Sequence, residues 1–450
     1  MLLKDMRFSI PRFHTKLYLI PFLIIWINRG LTAIAFPELI KTPDSQNYLA
    51  SSPWNFENVS LLGNAIRPWP TTVLYALVPE NFIVLTQLLF SGIASTVLIL
   101  TLDKILISQK LKFWCALLLA IFLSNPKQVE WDTVANAQSL SNTLAILIIA
   151  SLFSIKKNAT KLSVGLLIVE GLLLSNQRFL YYFILASSVL ILLPVFSKKL
   201  KKIMAIALIS IGLFSFIVSQ NQNNYWPSSY YGFSVIGQLS DSSPIHRNFA
   251  IFLESKGAPN CLLEKKLSAL DSGSSNSCVE GITWTRKNSK QMYLEFLRRT
   301  PSAILELEKL ALYGVFTSSS IAYGNAVSVV PDFLNNIFSG KRQFQDTPFH
   351  ESPGSQNFLY LPGFGLLIFA VIANTKRVSS KYTLERDSTA VTLLYSLIFG
   401  NILNVVIAGS IISAEWTRIL ATQGTMLIIA SLLLIFLAVE KYLDSENHSL

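Results

Sequence analysis

Apolar runs close to 20 residues long recur along this 450-residue chain, separated by short clusters of lysine and arginine. A run of that length crosses the ~30 Å hydrocarbon core of a bilayer as one helix, which satisfies its own backbone hydrogen bonds. Only 14% of the residues are charged, whereas soluble domains contain about 25%. The sequence therefore predicts an all-α polytopic membrane protein.

The net charge of +11 could indicate a nucleic-acid-binding protein. Nucleic-acid-binding domains cluster their cations on one face, but here the lysines and arginines lie between the apolar runs. That distribution is typical of cytoplasmic loops, which carry an excess of Lys and Arg. The charge therefore indicates membrane orientation, and we expect no nucleic-acid partner.

The lysine clusters and apolar runs together predict about ten transmembrane helices with both termini cytoplasmic, in the plasma (inner) membrane of the cell. The first run has a charged start but no small-residue cleavage site, so we expect an uncleaved span. We place the spans at 17–36, 82–102, 113–123, 140–155, 162–174, 179–196, 203–218, 358–373, 390–408 and 419–439.

This topology divides the chain into three parts. Residues 1–218 form an N-terminal membrane module with a first external loop at 37–70, and residues 357–450 form a C-terminal membrane module. Between them, 219–356 is predicted as one large extracytoplasmic insertion. The uncharged stretch 310–330 is not counted as a span, because inserting it would move the cations of 376–386 to the external side.

The three cysteines differ in setting. Cys115 lies inside an apolar run and is expected to be buried and unreactive. Cys261 and Cys278 lie 17 residues apart in the polar insertion. If that insertion is external, its compartment permits a disulfide, and we expect these two cysteines to form one.

The first external loop carries the residues most typical of a site. Asp44 lies in a Pro-Asp-Ser turn, Arg67 precedes Pro-Trp-Pro, and aromatic side chains lie between them. The part from 45 to 66 has the composition of one or two amphipathic helices broken at Pro53. Charged residues predicted at external span ends are Asp44, Arg67, Glu130, Asp132, Arg178, Glu415 and Arg418.

These residue types suit transfer of a sugar from a lipid-linked donor. The reaction needs a base for the acceptor, which Asp44 could provide. It also needs cations for the leaving phosphate, which Arg67, Arg178 and Arg418 could bind through planar guanidinium groups. Tyr48, with Trp54 and Trp69, offers flat faces for a sugar or an isoprenoid chain.

Six short motifs resemble the membrane-integral GT-C glycosyltransferases, particularly the bacterial mannosyltransferase-like members that use polyprenyl-phosphate sugars. The resemblance is strongest in TPDSQNYL, near the start of the first external loop, followed by RPWPTTVLYAL, which leads from the end of that loop into the second span. The other motifs are EWDTVANAQSLSN, SNQRFLYY, QMYLEFLRRTPSAIL and AEWTRIL.

The resemblance implies a GT-C-like fold and an inverting glycosyltransferase. Asp44 would be the catalytic base, Glu130 or Asp132 the second acid, and Tyr48, Arg67, Arg178 and Arg418 substrate-binding residues. The implied partners are a polyprenyl-phosphate sugar, membrane lipids, and a glycan, lipid or protein acceptor. Some branches bind a divalent metal, but we identify no metal ligands or other cofactor in this sequence.

Other interpretations of the same residues stay open. Asp44 could cap a helix, Arg67 could extend toward lipid headgroups, and Glu415 and Arg418 could pair with each other. The whole chain could instead be a polymerase or ligase of lipid-linked glycans, or a transporter. A transporter would place charges at mid-membrane, where only Asn28-Arg29 and Glu170, an acid with no evident partner, are found.

Overall fold

The structure is a computed structural model. It describes residues 15–41, 45, 48–49, 53–63, 67–225, 235, 238–239, 245–264, 278–317, 326–331, 384–411 and 421–447. These residues are mostly helical and contain no strand, apart from one isolated bridge between two loops.

The described helices follow the apolar runs of the sequence. In chain order they are α1 (Thr15–Ala35), α2 (Trp69–Leu77), α3 (Glu80–Ile105), α4 (Gln109–Leu123), α5 (Pro126–Val129), α6 (Gln138–Lys157), α7 (Lys161–Gln177), α8 (Tyr181–Leu192), α9 (Lys198–Tyr225), α10 (His246–Ser255), α11 (Asn260–Glu264), α12 (Val279–Arg299), α13 (Pro301–Thr317), α14 (Leu384–Ile411) and α15 (Ala421–Asn447).

Six described helices are long and apolar enough to cross a membrane: α1, α3, α6, α9, α14 and α15. Three further predicted spans correspond to shorter helices, namely α4, α7 and α8, of 15, 17 and 12 residues. The predicted eighth span, 358–373, lies outside the described residues. The chain is therefore an all-α, multi-helix membrane protein, and the ten-span count stays a prediction.

One end of the bundle, which we call the lysine end, carries the lysine-rich helix termini. Here Lys104 at the end of α3 donates a hydrogen bond to Ser154 of α6, with Nζ to Oγ at 2.8 Å. The Glu440 carboxylate of α15 accepts from the backbone N–H groups of Ile107 and Ser108, both at 2.7 Å. This carboxylate therefore meets the amino end of α4, where N–H groups lack helical partners and the helix dipole favours negative charge.

Uncharged polar side chains join the helices at the opposite end, which we call the polar end. Thr422 at the start of α15 donates to Asn142 of α6 at 2.7 Å, and Thr71 of α2 donates to Gln177 of α7 at 2.9 Å. A hydroxyl or amide buried in apolar surroundings is costly unless it is paired. These hydrogen bonds therefore hold the helix ends that carry the predicted site residues.

The insertion contains a small helical unit made of α10, α11 and α12. Cys261 of α11 is joined by a disulfide to Cys278, the residue before α12, with their Cα atoms 5.8 Å apart. Phe249 packs edge-on against Tyr293 and Phe296 of α12, with ring centroids 6.0 and 4.8 Å away. The expected Cys261–Cys278 pair is thus bonded in the structure, and Cys115 is a buried free thiol.

The uncharged stretch 310–330 is described only in part. Its beginning belongs to α13, which packs against α14. Near its end, Asn28 of α1 donates to the Val327 carbonyl at 2.5 Å, and the Val327 N–H donates to Thr32 of α1 at 3.1 Å. The segment around Val327 therefore lies against the first span.

Candidate functional site

The first external loop and the second acidic loop, which carries Glu130 and Asp132, are joined by backbone hydrogen bonds at the polar end. Ile40 forms a parallel bridge with Val134. The Ile40 N–H donates to the Thr133 carbonyl at 2.8 Å, and the Ala135 N–H donates to the Ile40 carbonyl at 3.0 Å. The Ser45 hydroxyl adds a bond to the Ala135 carbonyl at 3.2 Å. The residues on both sides of the 42–44 segment are therefore held against the second loop.

Asp132 lies in a 3₁₀ turn, Glu130–Thr133, and its carboxylate is buried beneath this junction. The Ser91 hydroxyl of α3 donates to Asp132 Oδ2 at 2.5 Å, and the Ser139 hydroxyl of α6 donates to Oδ1 at 2.6 Å. Both carboxylate oxygens therefore accept hydrogen bonds from the protein interior.

Arg29 of α1 provides the positive charge for this buried group. Its Nε donates to Ser91 Oγ at 2.9 Å, and one terminal nitrogen donates to Ser95 Oγ and to the Leu123 carbonyl, both at 3.3 Å. Arg29 and Asp132 are only 4% and 3% exposed. Ser91 thus connects a cation from the first span to an anion from the second loop.

Burial raises the pKa of the Asp132 carboxyl to about 6, although the Arg29 guanidinium and the hydrogen bonds from Ser139 and Ser91 oppose that rise. An aspartate in an unfolded chain has a pKa of about 3.9. The folded state therefore binds more protons than the unfolded state between about pH 4 and 6. It follows that the stability contributed by this group falls as the pH rises through that window.

We expect the wild-type protein to gain about 1 kcal/mol of stability relative to Asp132→Asn when the pH is lowered from 7 to 5. The reason is that the buried carboxyl becomes neutral in the wild type, while the amide does not titrate. Thermal unfolding of both proteins in detergent across this range provides the measurement. Parallel pH profiles for the two proteins would contradict the assignment.

Tyr48 and Arg67 come together at the edge of the same junction. The Arg67 guanidinium carbon lies 5.1 Å from the centroid of the Tyr48 ring, within the range of a cation–π interaction. Tyr48 packs edge-on against Tyr75 of α2, with centroids 6.3 Å apart. The Tyr75 hydroxyl donates to the Asn136 carbonyl at 2.9 Å and accepts from Gln87 at 2.7 Å. These contacts join Arg67 to the second loop.

Arg178 follows α7 directly and lies beside the start of α8. The preceding residue, Gln177, accepts the hydrogen bond from Thr71, four residues after Arg67. Arg178 also interacts electrostatically with Tyr181, which is hydrogen-bonded to Thr422 and Gln423 of α15. The segments carrying Arg67 and Arg178 are therefore adjacent at the polar end.

The other predicted site residues have different settings. Glu130 is fully buried in the same turn as Asp132. Asp44, Glu415 and Arg418 lie outside the described residues. Glu170, for which the sequence offered no partner, is hydrogen-bonded to Ser151 of α6.

The first loop differs from the amphipathic helices expected for it. Residues 53–63 form successive turns. The Asn55 side chain accepts from the Glu57 N–H at 3.0 Å, and Gly63 has a φ of +82°. An Asn side chain that bonds its neighbouring backbone competes with helix formation, and a left-handed φ ends a helical turn. The prediction of helices was therefore wrong for 53–63.

Sequence reasoning missed Arg29 as part of the site. A charged residue within a span is a recognised functional signal, but the sequence could not identify its partner. Of the residues that the structure describes, no group of three or more His, Cys, Asp or Glu is arranged to hold a metal ion.

The fold is that of an all-α membrane protein. At its polar end, a buried pair of opposite charges lies next to two loops that are joined by backbone hydrogen bonds. Comparison with known proteins gives no match: no family model, curated protein or solved structure matches the chain.

Proposed function

We propose that this protein is an integral membrane glycosyltransferase that moves a sugar from a polyprenyl-phosphate donor to an acceptor at the polar end. The convergence of the two loops supports this proposal. Ile40 and Ser45, which lie on either side of Asp44 in the sequence, are bonded to Thr133 and Ala135. The described residues that flank Asp44 in the sequence are therefore joined to the loop that carries Glu130 and Asp132.

Asp44 is the proposed catalytic base. It accepts the proton of an acceptor hydroxyl as the hydroxyl oxygen attacks the anomeric carbon of the donor sugar. The bond between that carbon and the phosphate oxygen breaks, and polyprenyl phosphate leaves with inversion at the carbon. Glu130 and Asp132 are both buried. Asp132 already accepts two hydrogen bonds, so the proposed role of Asp132 is to hold the second loop in place.

The arginines of the polar end are the proposed ligands of the leaving phosphate. Arg67 lies over the Tyr48 ring, and Arg178 interacts electrostatically with Tyr181. A planar guanidinium can donate two parallel hydrogen bonds to phosphate oxygens. Arg418 is proposed as a third ligand from its place in the sequence, three residues before α15.

Orientation follows from the two chemically different ends of the bundle. Lysine-rich ends face the cytoplasm in most membrane proteins, and disulfides form in oxidising compartments. The Cys261–Cys278 disulfide belongs to the insertion. We propose that the lysine end is cytoplasmic and that the polar end faces outward from the plasma membrane.

The direct test is transfer by purified protein in liposomes that contain short-chain polyprenyl phosphates loaded with radiolabelled sugars. Membrane extract supplies candidate acceptors, and heat-treated protein supplies the baseline. Single-sugar addition with release of polyprenyl phosphate would support the proposal. Addition of whole preassembled glycans would instead support a polymerase or ligase, and movement of label across the bilayer without bond cleavage would support a transporter.

A further inference from the structure

Asn404 of α14 is the buried polar residue that the packing of the helices explains least. Its side chain is fully buried, and neither its amide nitrogen nor its amide oxygen has a hydrogen-bond partner in the described part of the chain. An amide buried in apolar surroundings without a hydrogen-bond partner destabilises the folded state. A group retained at that cost needs an explanation, and a bound polar ligand is one.

The packing of α14 on α8 locates this amide along the bundle. A Cβ atom on Gly400 of α14 would lie 3.5 Å from the Ile184 Cα of α8, so the two helices are in close contact there. Asn404 lies one helical turn, about 6 Å, further toward the polar end on the same face. α8 begins beside the start of α15 at the polar end, and α14 ends at Ile411, shortly before α15 begins at Ala421, so α8 and α14 run in opposite directions. The position on α8 that corresponds to Asn404 is therefore close to Tyr181.

A second incompletely paired amide lies at this level. Gln423 of α15 is hydrogen-bonded to Tyr181, and its Oε1 atom is buried without a hydrogen-bond partner in the described ranges. Tyr181 is also bonded to Thr422, which donates to Asn142 of α6 at 2.7 Å. The α15 residues are thus fixed by their neighbours, while one acceptor on Gln423 and both polar atoms of Asn404 are left over.

We propose that Asn404 and Gln423 bind the hydroxyl groups of an uncharged sugar ring, with the phosphate attached to that sugar lying toward Arg178. A sugar hydroxyl both donates and accepts, and the available donor and acceptor atoms of the two amides match it. Arg178 comes three residues before Tyr181, one turn closer to the polar end. This inference rests on the proposed function and names its substrate class, a polyprenyl phosphate carrying a neutral sugar.

Among the residues that the structure describes, the absence of a cation directly beside the amides favours a neutral sugar over a uronic acid. Arg178 is the charged residue described in this region, and its guanidinium is assigned to the phosphate. A carboxylate on the ring would be buried next to two amides without a counter-charge, and an isolated buried carboxylate is very costly. The expected order of affinity is therefore neutral hexose above glucuronic acid on the same lipid.

The test is Asn404→Leu, which keeps the number and branching of the side-chain heavy atoms and removes both unpaired polar atoms. Thermal unfolding in detergent is measured without ligand, with free short-chain polyprenyl phosphate, and with that lipid carrying glucose, mannose, galactose or glucuronic acid. We expect the ligand-free variant to be at least as stable as the wild type, because an unpaired polar group has been removed. The apparent affinity for the lipid that carries a neutral hexose should fall at least tenfold. The stabilisation by free polyprenyl phosphate should be unchanged.

Asn176→Leu is the matched control. Its amide nitrogen donates to the Leu172 carbonyl at 2.8 Å and to Ser215 of α9 at 3.1 Å, so this variant should lose stability without ligand. The proposal is overturned if Asn404→Leu is destabilised to the same extent, or if it keeps the wild-type response to a neutral hexose. If Asn404→Leu keeps the wild-type response to a neutral hexose and the wild type transfers sugar normally, the proposed function stands and only this inference fails. If the wild type neither responds to any loaded lipid nor transfers sugar, both fail.

Discussion

Replacing Arg29 with methionine is expected to destabilise the protein by about 3–5 kcal/mol, the usual result of removing one partner of a buried ion pair. Arg29 and Asp132 are both buried and are connected through the Ser91 hydroxyl. Without the guanidinium, the Asp132 carboxylate remains buried, and its partners among the described residues are then serine hydroxyls, which carry no compensating charge. Thermal or urea unfolding of the purified protein in detergent measures the loss.

A double-variant cycle separates the pair from its surroundings. Arg29→Met combined with Asp132→Leu removes both charges, and such replacements are often neutral, so the double variant should recover most of the stability. Lys104→Met is the charge-matched control, because Lys104 is exposed at the lysine end and should contribute less than about 1 kcal/mol. If Arg29→Met is no worse than Lys104→Met, the charge-pair interpretation is wrong.

Asp44→Asn is expected to lower transfer about 10²- to 10⁴-fold, the range that a positioned general base contributes. The amide keeps the size of the side chain but cannot accept the acceptor's proton at neutral pH. Initial rates with a polyprenyl-phosphate sugar donor measure the effect. Donor affinity, measured separately, should change far less than the rate, because the proposed phosphate ligands are arginines.

Glu57→Gln is the control for that experiment. Glu57 is an exposed carboxylate of the same first loop, and its backbone N–H is bonded to the Asn55 side chain. It should retain wild-type activity and an unchanged unfolding profile. Normal turnover by Asp44→Asn would exclude Asp44 as the base, whereas equal losses in both variants would indicate a general requirement for negative charge in this loop.

The helical class and the approximate positions of the described helices were predictable because they depend on local sequence. Apolar length sets where α1, α3 and α6 can lie in a bilayer, and the lysines of the intervening turns mark one end of the bundle. The spacing of Cys261 and Cys278 in one polar segment likewise indicated the observed disulfide. Each of these features is decided within a few tens of residues.

The interior of the site was not predictable in the same way. Arg29 and Asp132 are separated by more than 100 residues, and nothing in either local sequence identifies the other as its partner. The first loop also misled the prediction, since its apolar spacing resembles an amphipathic helix while Asn55 and Gly63 favour turns. Asn404 lies in an apolar run, and the sequence does not distinguish it from other polar residues of the spans. Its burial and its lack of hydrogen-bond partners among the described residues are seen only in the structure.

The amino-acid sequence by itself determined that this protein is a helical membrane protein and which end of its bundle is basic. Those properties follow from transfer of apolar side chains and charges between water and lipid, which depends on composition and chain position. Only the tertiary structure decided which polar groups meet. Hydrogen bonds and buried charge pairs act over about 3 Å, and that proximity between distant residues exists only once the helices have packed.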